Sequence, residues 1–185
     1  IYGAKVVAID GNFDQALTIA RREFQSYFNG PVAYIVICLV LLALGAFFWF
    51  LQGFFLAGRA EVRGMFNTLS WVLIFAAPAM TMGLLAEEKR AGTIELLITM
   101  PVRDAEVILG KFLGVLGLYA VVLVLTLPYP ISVSTLGDMD WGPVWSGYIG
   151  IFLQGAAMLA IGLMASSWTR NQLIAFFIAI ILCGF

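Results

Sequence analysis

PVAYIVICLVLLALGAFFWFL, residues 31–51, runs for 21 residues without a charge. A helix of that length reaches about 30 Å, enough to cross the hydrocarbon core of a bilayer. Similar apolar runs follow at about 69–86, 105–128, 144–167 and 172–185. Of the 185 residues, 62% are hydrophobic and 11% charged, and the mean hydropathy is +1.00. So few charges could not solvate a soluble domain of this size. The expected fold class is an all-α polytopic membrane protein. A net charge of −1 leaves no basic surface for nucleic acid. The chain has no histidine, which removes His-based catalysis, proton relay and His metal ligation. Cys38 and Cys183 lie in apolar runs and read as small membrane-buried hydrophobes. No cleavable signal-peptide layout precedes the first span.

Residues 1–17 differ from the rest. Gly3 to Gly11 is a short β-branched run closed by Asp10-Gly11, and Asn12 to Leu17 reads as a capped helix start. This strand–turn–helix piece resembles a segment of the threonine synthase family, enzymes that use pyridoxal phosphate. The resemblance covers about 15 residues and none of that family's catalytic-lysine or phosphate-binding motif. It implies a foreign or fused soluble stub without activity; the alternative is an ordinary cytoplasmic extension.

Residues 18–30 read as an amphipathic interfacial helix that Thr18 can cap and Gly30-Pro31 ends. On a helical projection Ile19, Glu23 and Ser26 fall away from Phe24, Tyr27 and Phe28. With the N-terminus inside, eight basic residues face the cytoplasm: Lys5, Arg21, Arg22, Lys89, Arg90, Arg103, Lys111 and Arg170. Only Arg59 and Arg63 then lie outside. That bias orients the bundle and makes the segment after the second span cytoplasmic. Lys111, two turns into the third span, reads as a snorkelling side chain. Gly110, Gly114 and Gly117 on span three, and Gly155, Ala156, Ala160 and Gly162 on span four, are small residues at spacings that let helices approach closely.

The cytoplasmic segment is EEKRAGTIELLITMP, residues 87–101. Five charged residues, Glu87, Glu88, Lys89, Arg90 and Glu95, crowd between two apolar runs. Gly92 can end the preceding helix, Thr93 can cap a new one, and Glu95 sits in its first turn, where a carboxylate favours the dipole. Ile94, Leu97 and Ile98 share a face, and Pro101 stops the helix. The spacing predicts a stiff helix over about 93–100 with one apolar side.

This segment is similar to the signature of type-2 ABC transporter permeases. Arg21-Arg22-Glu23-Phe24 through Asn29-Gly30-Pro31-Val32-Ala33-Tyr34-Ile35 resembles the start of their gliding-motility and multicopper-maturation branch. The resemblance covers about residues 18–185. It implies a type-2 ABC exporter transmembrane domain: an elbow helix, then six spans, of which five are visible here, the fifth breaking off at Phe185. It further implies a second permease copy or paralogue, and a cytoplasmic ATP-binding subunit that holds ATP and Mg. Carried over, Glu87, Glu88, Arg90, Gly92, Thr93, Glu95, Leu96, Leu97 and Pro101 would form the ATPase-coupling interface. Arg21, Arg22, Glu23 and Phe24 would form the elbow contact, and Arg170 a second cytoplasmic contact. The implied location is the bacterial inner membrane.

The resulting expectation is a permease that is no enzyme itself. The sequence has no G-x-x-x-x-G-K-[ST], so ATP hydrolysis would come from a partner. An ion-coupled carrier would place ionisable groups at mid-membrane, and the spans place none there. A non-transporting membrane anchor for a cytoplasmic complex is the alternative, because it would share the docking helix. No cofactor is expected in the chain.

Overall fold

The structure is a computed structural model that describes residues 17–47, 63–91, 104–135 and 140–184. Residues 1–16, 48–62 and the whole of 92–103 lie outside the described residues. The last includes Gly92, Thr93, Glu95, Leu96, Leu97 and Pro101.

Among the described residues every regular element is a helix. The chain runs α1 (Leu17–Asn29), α2 (Pro31–Ala46), α3 (Arg63–Thr81), α4 (Ala86–Ala91), α5 (Asp104–Thr126), α6 (Pro128–Ser134), α7 (Trp141–Trp168) and α8 (Gln172–Gly184). This is the all-α membrane fold that the composition requires. Among the described residues, three stretches are long and apolar enough to cross a membrane: Arg63–Thr81, Val107–Ser134 and Trp141–Trp168. The bent pair Leu17–Asn29 and Ala33–Ala46, at 73°, is a fourth candidate, and Gln172–Gly184 is a shorter apolar helix. The 28 residues of α7 extend about 42 Å, the longest element described.

α7 is the centre of the bundle. It packs on α3, α5 and α8, while α2 packs on α3 and α5, and α8 also reaches α3. Lipid is as apolar as these side chains, so close approach and interhelical hydrogen bonds hold the helices together. Glycines of α7 supply the approach. A Cβ at Gly147 would lie 2.3 Å from the Phe66 ring, one at Gly155 2.2 Å from the Tyr119 ring, and one at Gly162 2.1 Å from Thr81 Oγ1. Ala160, another small residue of this helix, is exposed and takes no part. The fully buried Tyr119 then donates to the Ile151 carbonyl at 2.7 Å. Ser70 meets Gln154 Oε1 at 3.0 Å, and Thr126 meets the Tyr148 hydroxyl at 3.1 Å. Each such bond is worth about 0.6–2 kcal/mol in a membrane.

Three local features differ from the sequence reading. Thr18 lies inside α1, which already includes Leu17. The second apolar helix is formed by Arg63, well ahead of residue 69, because Met65 and Phe66 pack inward, the latter against Gly147. The third apolar run, expected to end at about residue 128, is followed directly by another helix: Pro128 starts α6, where its missing N–H costs nothing. Tyr129 secures this short helix by donating to the Leu41 carbonyl at 2.9 Å.

Candidate functional site

The site lies at the end of the bundle that carries Lys89, Lys111 and Arg170, and it begins where α3 breaks. Pro78 cannot donate to the carbonyl one turn back. The helix ends at Thr81, and a turn over residues 82–85 containing Gly83 leads to α4. Ending a helix inside the bundle frees backbone groups that need other partners. The neighbours provide them. Thr81 Oγ1 donates to the Ala77 carbonyl at 2.9 Å, and the Tyr27 hydroxyl of α1 donates to the Met80 carbonyl at 2.9 Å. Ser166, fully buried on the last turn of α7, makes three bonds. It donates to the Met82 carbonyl at 3.1 Å and accepts from the Leu85 and Ala86 amides, each at 3.2 Å. Lys89 Nζ donates to the next carbonyl, that of Ser167. Two consecutive serines of α7 thus hold the start of α4.

Lys111 stands beside this break. It is 3% exposed, and its ammonium meets Glu23 Oε1 of α1 at 3.0 Å and Glu88 Oε1 of α4 at 2.7 Å. Desolvating an ammonium costs several kcal/mol, which paired carboxylates must offset. Stripping a partner from a fully buried pair costs about 3–5 kcal/mol. Here the carboxylate side chains keep 24% and 25% of their exposure, so the cost is smaller. The triad ties three helices, α1, α4 and α5, at one point and leaves a net charge of −1. It borders a cavity of about 350 Å³ whose lining includes Tyr27, Met80, Glu88, Lys111 and Gln172.

The glycines of span three explain how α1 reaches Lys111. A Cβ at Gly114 would lie 2.7 Å from Glu23 Cβ and 3.2 Å from the Ala20 carbonyl oxygen, and one at Gly117 would lie 3.1 Å from the Phe24 ring. This glycine stripe therefore receives α1. Glu23 accordingly points into the bundle, on the same side as Phe24, contrary to the helical-projection expectation. Phe24 packs in turn against Phe28, with ring centroids 5.0 Å apart and the planes tilted by 53°.

Of the sequence-predicted residues, Glu23, Phe24 and Glu88 are drawn together around α5. Arg21, Arg22, Arg90 and Arg170 are exposed, and Glu87 belongs to α4. Arg170 follows the end of α7, where Asn171 caps α8 by accepting the Leu173 amide at 3.1 Å. Sequence reasoning missed Tyr27, Ser166 and the pairing of Lys111. The signal for the last was present: a lone lysine in a span, one turn from a glycine.

The family model for ABC-2 family transporter protein matches residues 62–185. The chain belongs to this family. It is a multi-pass membrane protein and a permease component of an ABC transporter, a transmembrane part that is not itself catalytic and that associates with an ATP-binding subunit. The match takes in α3 to α8, with Glu88 and Lys111; α1, α2 and Glu23 precede it. No curated relative and no solved structure matches the chain.

Proposed function

We propose that this permease works in an ATP-driven exporter of the bacterial inner membrane, with its N-terminus cytoplasmic. It would act beside a second permease copy or paralogue. Residues 87–101 receive the stroke of the ATP-binding subunit, which holds ATP and Mg, and pass it to the spans. α1, with Arg21, Arg22, Glu23 and Phe24, serves as the elbow, and Arg170 lies at a second cytoplasmic contact. The resemblance of residues 87–101 to type-2 ABC permeases is what supports export as the direction of transport.

The observation that carries this reading is the convergence of Glu23 and Glu88 on Lys111. Glu88 lies at the root of the charged segment, Glu23 on the elbow, and Lys111 on a membrane-spanning helix. A load applied to the segment therefore reaches α7 through Ser166 and Lys89, and the ion-paired point makes the position of α4 sensible to α5 and α1. A free solvated loop would need no such anchorage.

A photocrosslinker placed at Leu97 in intact membranes tests the docking role, with Glu95→Lys as the matched variant. The expected products are a covalent adduct with an ATP-binding protein and loss of that adduct in Glu95→Lys, with membrane insertion retained. Repeated failure to capture such a protein, with the permease inserted normally, would leave the anchor reading in its place. Direction is read separately, by efflux from cells against uptake into inverted vesicles.

A further inference from the structure

One carboxylate suffices to neutralise an ammonium, yet Lys111 has two. They also differ in how firmly the chain holds them. Glu23 sits on a 13-residue helix seated on Gly114 and Gly117, and Tyr27 of the same helix is bonded to the Met80 carbonyl. Glu88 sits on the six-residue α4, which follows the turn at Gly83 and leads into the charged segment. The bonds that hold α4 to α7 run to Ser166 and Ser167, both on the last turn of that helix. Two adjacent anchors on one turn make a hinge line.

We propose that Lys111 is a positioning residue with a releasable second partner. Glu88 lets go when the ATP-binding subunits close and α4 swings about Ser166, while Glu23 stays and keeps the buried ammonium neutralised. This rests on the coupling role proposed above for residues 87–101.

Elementary electrostatics favours the arrangement. Repulsion between the two carboxylates weakens both contacts relative to a lone ion pair, so either can give way at less cost, and the one on the short α4 is the one a moving segment can pull. A buried lysine with a single partner on the moving segment would be stranded at each stroke. With the other partner on the seated elbow it is never stranded. The motion also needs a load, since a segment moves only when something favours its second position. Closure of the ATP-binding subunits supplies that load.

The test uses the complete transporter in lipid nanodiscs, with Cys38 and Cys183 replaced by alanine. Spin labels on the exposed positions Arg90→Cys and Ile108→Cys report α4 against α5. Labels at the exposed Gln25→Cys and Ile108→Cys report α1 against α5. A non-hydrolysable ATP analogue should lengthen the first distance by several ångström and leave the second unchanged. Glu88→Gln should show the longer first distance before nucleotide is added. A third label pair across the ATP-binding subunits verifies their closure. If they close and the first distance stays fixed, or if both distances change together, the releasable partner is refuted. If no ATP-binding subunit joins the complex at all, the coupling role fails first and the release falls with it.

Discussion

Replacing Gly114 by alanine perturbs the junction at one atom. The new Cβ would sit 2.7 Å from Glu23 Cβ, against an ordinary contact beginning near 3.4 Å. Neither that Cβ nor the Ala20 carbonyl oxygen at 3.2 Å is the far end of a flexible side chain, so α1 itself must retreat by about 0.7 Å. The Glu23–Lys111 distance of 3.0 Å then stretches toward about 3.7 Å, beyond a hydrogen bond. Overpacking costs about 1–3 kcal/mol, offset by up to about 1 kcal/mol from alanine's better helix propensity. The expected net is a loss of about 0–2 kcal/mol. Gly117→Ala is the control, because its nearest neighbour is the swinging edge of the Phe24 ring at 3.1 Å. It should be neutral or slightly stabilising. Reversible unfolding in mixed micelles reads both variants. The sharper reading comes from adding Glu23→Gln to each. In the Gly114→Ala background it should have almost no further effect, since the pair is already stretched. An undiminished effect there, or a larger cost for Gly117→Ala than for Gly114→Ala, would refute the seating of α1 on this stripe.

Three other outcomes follow from the same geometry. Lys111→Met leaves two facing carboxylates without their cation and should cost about 1–3 kcal/mol in the same unfolding assay, with a further fall in ATP turnover of the assembled transporter. Ser166→Ala removes three bonds at the break in α3 and should cost about 1–3 kcal/mol; the Leu85 and Ala86 amides should exchange with deuterium faster while those of mid-α3 do not change. Asn171→Ala removes the cap of α8 and should cost about 1 kcal/mol, with faster exchange confined to the first turn of that helix.

The fold class was legible because lipid imposes a simple rule. Long uncharged runs such as 31–51 and 144–167 have few structures open to them. Helix ends were less legible. Pro78 lies inside the second apolar run, where a membrane helix can tolerate a proline, and where the helix stops depends on whether something can receive the freed carbonyls. Those receivers, Tyr27 and Ser166, lie 53 and 84 residues from their carbonyl partners Met80 and Met82. Pro128 misled in the other direction, since a proline that breaks a helix interior is well suited to its first turn. At the site, the charged residues around 87–90 stood out by composition. Lys111 did not, because snorkelling explains an isolated lysine near a span end just as well. Its carboxylate partners come from α1 and α4, 88 and 23 residues away in sequence. The inward face of Glu23 had a similar cause. A helical projection ranks residues by polarity, and it cannot know that a glycine stripe opposite has made room for a carboxylate beside a buried cation.

Lys111 joins the root of the charged segment to the membrane spans, and a double-mutant cycle between Glu88→Gln and Lys111→Met measures that link. ATP turnover of the assembled transporter is read for wild type, both single variants and the double variant. The prediction is that Glu88→Gln lowers turnover in the wild-type background and changes nothing once Lys111 is methionine. Independent, additive losses would contradict it, and Lys111 would then have no part in coupling residues 87–101 to the bundle.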